Sequence, residues 1–268
     1  MLRRSLVIKC FIVFAVAFGI RQATVALLND TPYESGTGLL TSFGIAMITL
    51  LLIRFEGSGF REHGFLIPKR ARRLLTVSLF LAFLYILVVL FVPGGISGFE
   101  ALPPASISWG LLFSAVSVLL AVFAAETVFR GYIQTDLDKA FGSYVSMVVV
   151  SVMFSFYMVP ITLYFTASLT ELVYLSLPLF AESVFLCFFF KDTKTLLSPI
   201  AFAATVILLE MLTPLQPTSV EYTTLISLIC YAVLVPIMQA FMAEVKEQNM
   251  KFEVVEEVDS EEPMDDDV

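Results

Sequence analysis

The sequence predicts an all-α fold: a polytopic membrane bundle of about eight transmembrane helices with both termini on the cytoplasmic side. Three observations carry that prediction. The 268 residues are 58% hydrophobic with only 15% charged, and 26 of them are Phe, which is more apolar surface than a soluble domain can bury. Eight apolar stretches approach the ~20 residues a spanning helix needs. Finally, the basic residues fall only in alternate loops, which fixes an orientation.

The stretches run over 6–28, 37–53, 75–92, 109–129, 144–165, 172–190, 196–212 and 222–241. Although the first could pass for a signal peptide, Lys9 and Arg21 interrupt it and no small-x-small cleavage site follows, so it reads as a retained span. Arg3 and Arg4 precede it; Arg54, Arg61, Lys69, Arg70, Arg72 and Arg73 separate spans two and three; Lys139 follows span four; Lys191 and Lys194 follow span six. These all belong to one side, the cytoplasmic one. The alternate loops, 29–36, 93–108, 166–171 and 213–221, contain no Lys or Arg. The tripeptide Asn29-Asp30-Thr31 is formally a glycosylation sequon, but it abuts span one and carries little weight.

The net charge of −8 is a property of the end of the chain. From residue 244 onward there are eleven acids and two lysines, whereas the first 243 residues hold thirteen acids and fourteen bases. Residues 1–243 therefore read as the transmembrane domain and 244–268 as an acidic, disordered cytoplasmic tail, repelled by anionic lipid and serving chiefly as a solubilising end. Nothing suggests a nucleic-acid partner. Cys10, Cys187 and Cys230 each sit in an apolar span, are odd in number and lack ligand spacing, so they read as small core residues. No cofactor is expected, and no internal repeat is evident.

One ionisable pair stands inside span four, in Ala124-Ala125-Glu126-Thr127-Val128-Phe129-Arg130-Gly131-Tyr132-Ile133-Gln134. On an α-helix Glu126 and Arg130 share a face and can bond as a charge pair. Intramembrane charges mark functional sites by default. Their alternative role is structural, locking span four to its neighbours beside a small-residue patch of Ala121, Ala124 and Ala125. Glu182, four residues beyond Pro178, is a second isolated acid: a broken span tends to line a cavity, and Glu182 could stand there protonated or pair with Arg21, Lys9 or Arg130. Glu210, near the outer end of span seven, reads as structural.

The run resembles the first motif of the CAAX-protease and bacteriocin-processing (CPBP) family of intramembrane glutamic endopeptidases, Glu-Glu-x-x-x-Arg followed by Gly-Tyr-aliphatic-Gln. Here Ala125 stands at the first glutamate. The stretch from Glu62 to Leu75 looks like the family's basic element before a span, and Phe154-Ser155-Phe156-Tyr157-Met158-Val159-Pro160 matches its Phe-x-x-x-His frame with Met158 at the histidine. Near Pro199, where the family has His-x-x-x-Asn, Ala203 and Ile207 occupy those places. The sole histidine, His63, falls in a cytoplasmic loop, and Asn29 and Asn249 lie outside the spans. The resemblance, extending over roughly residues 50 to 210, implies a peptidase in which a glutamate activates water while His and Asn position it and stabilise the oxyanion. Losing one oxyanion donor costs ~10²–10³ in rate, and here several groups are missing together. Three glutamates without a histidine also make a poor divalent-ion site.

The leading expectation is therefore a catalytically degenerate relative, an integral multi-pass protein of the cell membrane, that binds a membrane protein or a hydrophobic or prenylated peptide among the lipids. The enzyme alternative uses Glu126 as base and Arg130 to hold the substrate carboxylate or oxyanion. A transport alternative takes Lys9, Arg21, Glu126, Arg130, Glu182 and Glu210 as one proton or ion path.

Overall fold

The computed structural model describes residues 2–28, 34–94, 109–212 and 224–243, and among them every regular element is helical. The sequon at Asn29, most of the outer loops and the acidic tail lie outside the described residues. The elements are α1 (Leu2–Leu28), α2 (Glu34–Phe55), α3 (Ala71–Gly94), α4 (Trp109–Glu126), a π-helical segment (Thr127–Gln134), α5 (Thr135–Phe141), α6 (Ser143–Met158), α7 (Leu163–Thr166), α8 (Leu169–Thr193) and α9 (Leu197–Leu212), followed by α10 (Thr224–Ala243).

Six helices among the described residues are long and apolar enough to cross a bilayer: α1, α2, α3, the continuous Trp109–Phe141 unit, α8 and α10. The shorter apolar α6 and α9 bring the number close to eight. Two predicted boundaries shift. Span four does not stop near 129 but runs 33 residues to Phe141, because its π segment and α5 continue the same axis. Span five does not reach 165: α6 ends at Met158, since Pro160 disfavours helical backbone at Val159, which is extended at φ −73°, ψ 126°.

Helix ends follow local chemistry. Ser168 begins α8 with a capping box, its N–H donating to Glu171 Oε2 at 2.7 Å while its Oγ accepts from the Glu171 N–H at 3.3 Å. Pro178 deprives the Tyr174 carbonyl of its helical donor. Thr224 Oγ1, at the start of α10, donates to that carbonyl at 3.0 Å.

Two cores hold the bundle. One joins α3, α8, α9 and α10, with Tyr85 and Phe185 each in ring contact with both Phe202 and Tyr231. The other joins α1, α2, the π segment and α6, with Phe129 seated between Phe154 and Tyr157. The α4–α5 unit and α8 contribute to both. At one end the loop 56–70, the α5 end and the α8–α9 turn meet: the Leu196 N–H donates to Gly64 O at 2.9 Å, and Thr195 Oγ1 to Leu66 O at 2.9 Å. This is the end that carries the basic loops.

Candidate functional site

Glu126 closes α4, and the next eight residues wind as π-helix rather than the α-helix the spacing suggests. A π segment fits more residues into each turn and leaves backbone groups unmatched, which is why it recurs at functional positions. Its Gly131 carbonyl turns outward to the loop 56–70. There His63 Nδ1 donates to it at 2.8 Å, while His63 Nε2 contacts Ser58 Oγ at 2.9 Å. The imidazole is fully buried and stacks on Tyr132 with ring centroids 6.0 Å apart and planes 10° from parallel.

The sequence places His63 in a loop away from the motif; the loop instead folds inward. Two glycines permit this. Gly64 has φ +82°, and a Cβ there would meet the Phe190 ring at 2.5 Å. A Cβ on Gly131 would lie 3.3 Å from both His63 O and Leu196 Cδ1. The available signal in the sequence was a lone histidine flanked by glycine, too weak to place it.

Glu126 and Arg130 do form the expected pair, Oε1 to Nη1 at 3.1 Å, with side chains 2% and 0% exposed. Arg130 Nη2 donates to Ser183 Oγ at 2.9 Å and to Ser183 O at 3.3 Å, and the guanidinium lies over the Phe154 ring at 4.5 Å. This ties the π segment to both α6 and α8. Gln134 Nε2 adds a second tie, donating to Cys187 O at 3.2 Å. Cys187, Ser151 and Ser183 are fully buried. Glu126 Oε2, Arg130 Nε and Nη1, Gln134 Oε1 and Ser151 Oγ have no hydrogen-bond partner among the described residues, so the Nη1–Oε1 contact is an ion pair without hydrogen-bond geometry.

The sequence singled out Glu182 and missed its neighbour. Ser183 faces the pair, whereas Glu182 forms no ion pair within 4 Å with any of the three proposed partners: Lys9 bonds Glu56 at 3.0 Å, Arg21 donates to the Tyr157 carbonyl and lies over its ring, and Arg130 contacts Glu126 and Ser183. Lys9 and Arg21, two of the six ionisable groups of the transport reading, are engaged with Glu56 and Tyr157, apart from Glu126 and Arg130. The small-residue patch is also narrower than expected, since Ala124 and Ala125 are buried but Ala121 is exposed.

The substituted family positions are divided between the two cores. Ala125 belongs to the core of α1, α2 and α6, and Met158 packs on its edge. Ala203, by contrast, is buried in the other core, among α3, α8 and α10 residues. None carries a side chain that could donate a hydrogen bond or activate water.

An open cavity lies elsewhere, at α1 and α2. A groove of about 290 Å³ runs between α1 and α2, walled by Ile12, Val16, Ala17, Ile45, Ile48 and Leu52 among others, and closed at one end by Lys9, Glu56 and Tyr132. Tyr132 Oη donates to Glu56 Oε1 at 2.9 Å, the oxygen that also receives Lys9. Tyr132 thus links the motif to the groove.

Residues 107–209 match the family model described as Type II CAAX prenyl endopeptidase Rce1-like. The matched region begins just before α4 and ends within α9, so it contains Glu126, Arg130, Ser183 and all three substituted positions, and it agrees with the CPBP resemblance. No curated protein matches the chain.

Proposed function

Starting from a CAAX protease-like, multi-pass integral membrane protein, we propose that this chain is a non-catalytic relative that binds a membrane protein or a hydrophobic or prenylated peptide rather than cutting one. The observation that carries the reading is the closure of the Glu126–Arg130 pair. A general base must come within ~3 Å of the proton it removes, directly or through one water. Glu126 is 2% exposed, faces a guanidinium already bonded to Ser183, and does not line the groove. The groups that would place water or hold an oxyanion are replaced by Ala125, Met158 and Ala203. The pair then works as a latch among α4, α6 and α8, and binding falls to surfaces outside it.

The deciding experiment reconstitutes the purified full chain in liposomes with fluorescent prenylated peptides, following binding by anisotropy and products by mass spectrometry. Saturable binding with the peptide recovered intact is the expected result. Turnover that vanishes in Glu126→Ala would establish the peptidase reading instead.

A further inference from the structure

The groove between α1 and α2 has the dimensions of a single hydrocarbon chain. Its wall runs from Lys9 to Ile20 on α1 and from Ile45 to Glu56 on α2. At 1.5 Å per residue each side is about 16 Å long, close to one leaflet's half of the ~30 Å hydrocarbon core. The wall is aliphatic. Its two hydroxyls are both engaged, Thr49 Oγ1 bonded back to Ile45 O at 2.9 Å and Tyr132 Oη, at the polar end, to Glu56 Oε1 at 2.9 Å. Ile12, Val16 and Ile48 are 57%, 46% and 41% exposed, so the slot opens sideways to lipid. A volume of about 290 Å³ lies at the lower limit of ~300 Å³ for pockets that hold drug-sized molecules, which suits one chain and excludes a peptide with bulky side chains.

Polarity is confined to one end. Lys9 remains 45% exposed, and an ammonium has three donors, of which Glu56 Oε1 takes one. On the same two helices Arg3, Arg4 and Arg54 are exposed beyond it, outnumbering Glu56; Asp136 and Glu62, the acids of the adjoining segments, are bound by Lys139 at 3.2 and 3.6 Å. An apolar slot one leaflet deep, ending beneath a cationic rim, is complementary to a lipid whose head carries negative charge.

We propose that this groove is a binding site for one acyl chain of an anionic glycerophospholipid of the leaflet on the Lys9 side, its phosphate held by Lys9 and the neighbouring arginines. The site is separate from the Glu126–Arg130 pair and holds whether or not the protein cleaves peptides.

The test uses the full chain in nanodiscs containing phosphatidylglycerol and phosphatidylcholine, with native mass spectrometry counting the lipids retained after mild detergent extraction. One phosphatidylglycerol per protein is expected to survive. Ile48→Trp, placed on the exposed rim where the added ring covers the slot without entering a core, should abolish that retention, while Leu119→Trp on the lipid face of α4 should not. Lys9→Gln should lower the preference for phosphatidylglycerol about fivefold. Equal retention in wild type and Ile48→Trp, or no preference between the two lipids, overturns the proposal. So does a prenylated peptide whose binding is lost in Ile48→Trp while phosphatidylglycerol retention is unchanged, because the slot would then belong to a client's anchor.

Discussion

Arg130 concentrates most of the buried polar chemistry in three contacts, to Glu126, to Ser183 and to the face of Phe154. If the pair is a latch, its halves are costly to separate but replaceable together. Arg130→Met alone leaves an uncompensated buried carboxylate and should destabilise the protein by about 3–5 kcal/mol. Glu126→Leu combined with Arg130→Met should restore most of that loss, measured as thermal unfolding in detergent; a double variant no more stable than Arg130→Met would show the pair has a role beyond mutual neutralisation. His63 makes a separate forecast. His63→Ala strips the Gly131 carbonyl of its donor inside a buried contact, so it should cost about 1–3 kcal/mol, a sizeable effect for a loop residue and one that a solvent-exposed histidine would not produce.

Among the elements, the π segment was hidden from sequence. Glu126 and Arg130 four apart look the same written over α- or π-helix, and the extra residue per turn is fixed by what waits outside it, namely the His63 ring and the tightly packed Gly131. The loop 56–70 fits that turn, with His63 donating to the Gly131 carbonyl at 2.8 Å. Gly64→Ala should therefore be more damaging than Gly131→Ala: the first meets the Phe190 ring at 2.5 Å with an unfavourable φ, whereas the second needs shifts of a few tenths of an ångström. Pulse proteolysis of the two variants gives the order directly. The break at Pro178 was legible, but its consequence was not, because the partner that satisfies the freed Tyr174 carbonyl comes from α10. A double-mutant cycle tests this. Thr224→Val should cost about 1 kcal/mol in the wild-type chain and less beside Pro178→Ala, where the backbone N–H at 178 competes for the same carbonyl.

Across the bundle, the α4–α5 unit and α8 contribute to both cores, and the family match over residues 107–209 includes them together with the charge pair. The orientation inferred from Lys and Arg is testable without removing native thiols, since Cys10, Cys187 and Cys230 are 0%, 0% and 6% exposed. With an impermeant maleimide, Arg61→Cys should label from the cytoplasmic side and Thr166→Cys from the opposite one; the reverse pattern would invert the topology. The membrane-bundle character, the number of helices and the Glu126–Arg130 contact were all readable from the order of residues, because hydropathy over ~20 positions and spacing along one helix are local quantities. Ser183 in place of Glu182, the inward turn of His63, the separation of Met158 from Ala203 and the groove ending at Tyr132 were not. Each depends on which faces of different helices meet, and that is set by packing between segments well separated in the chain, to which no local pattern gives access.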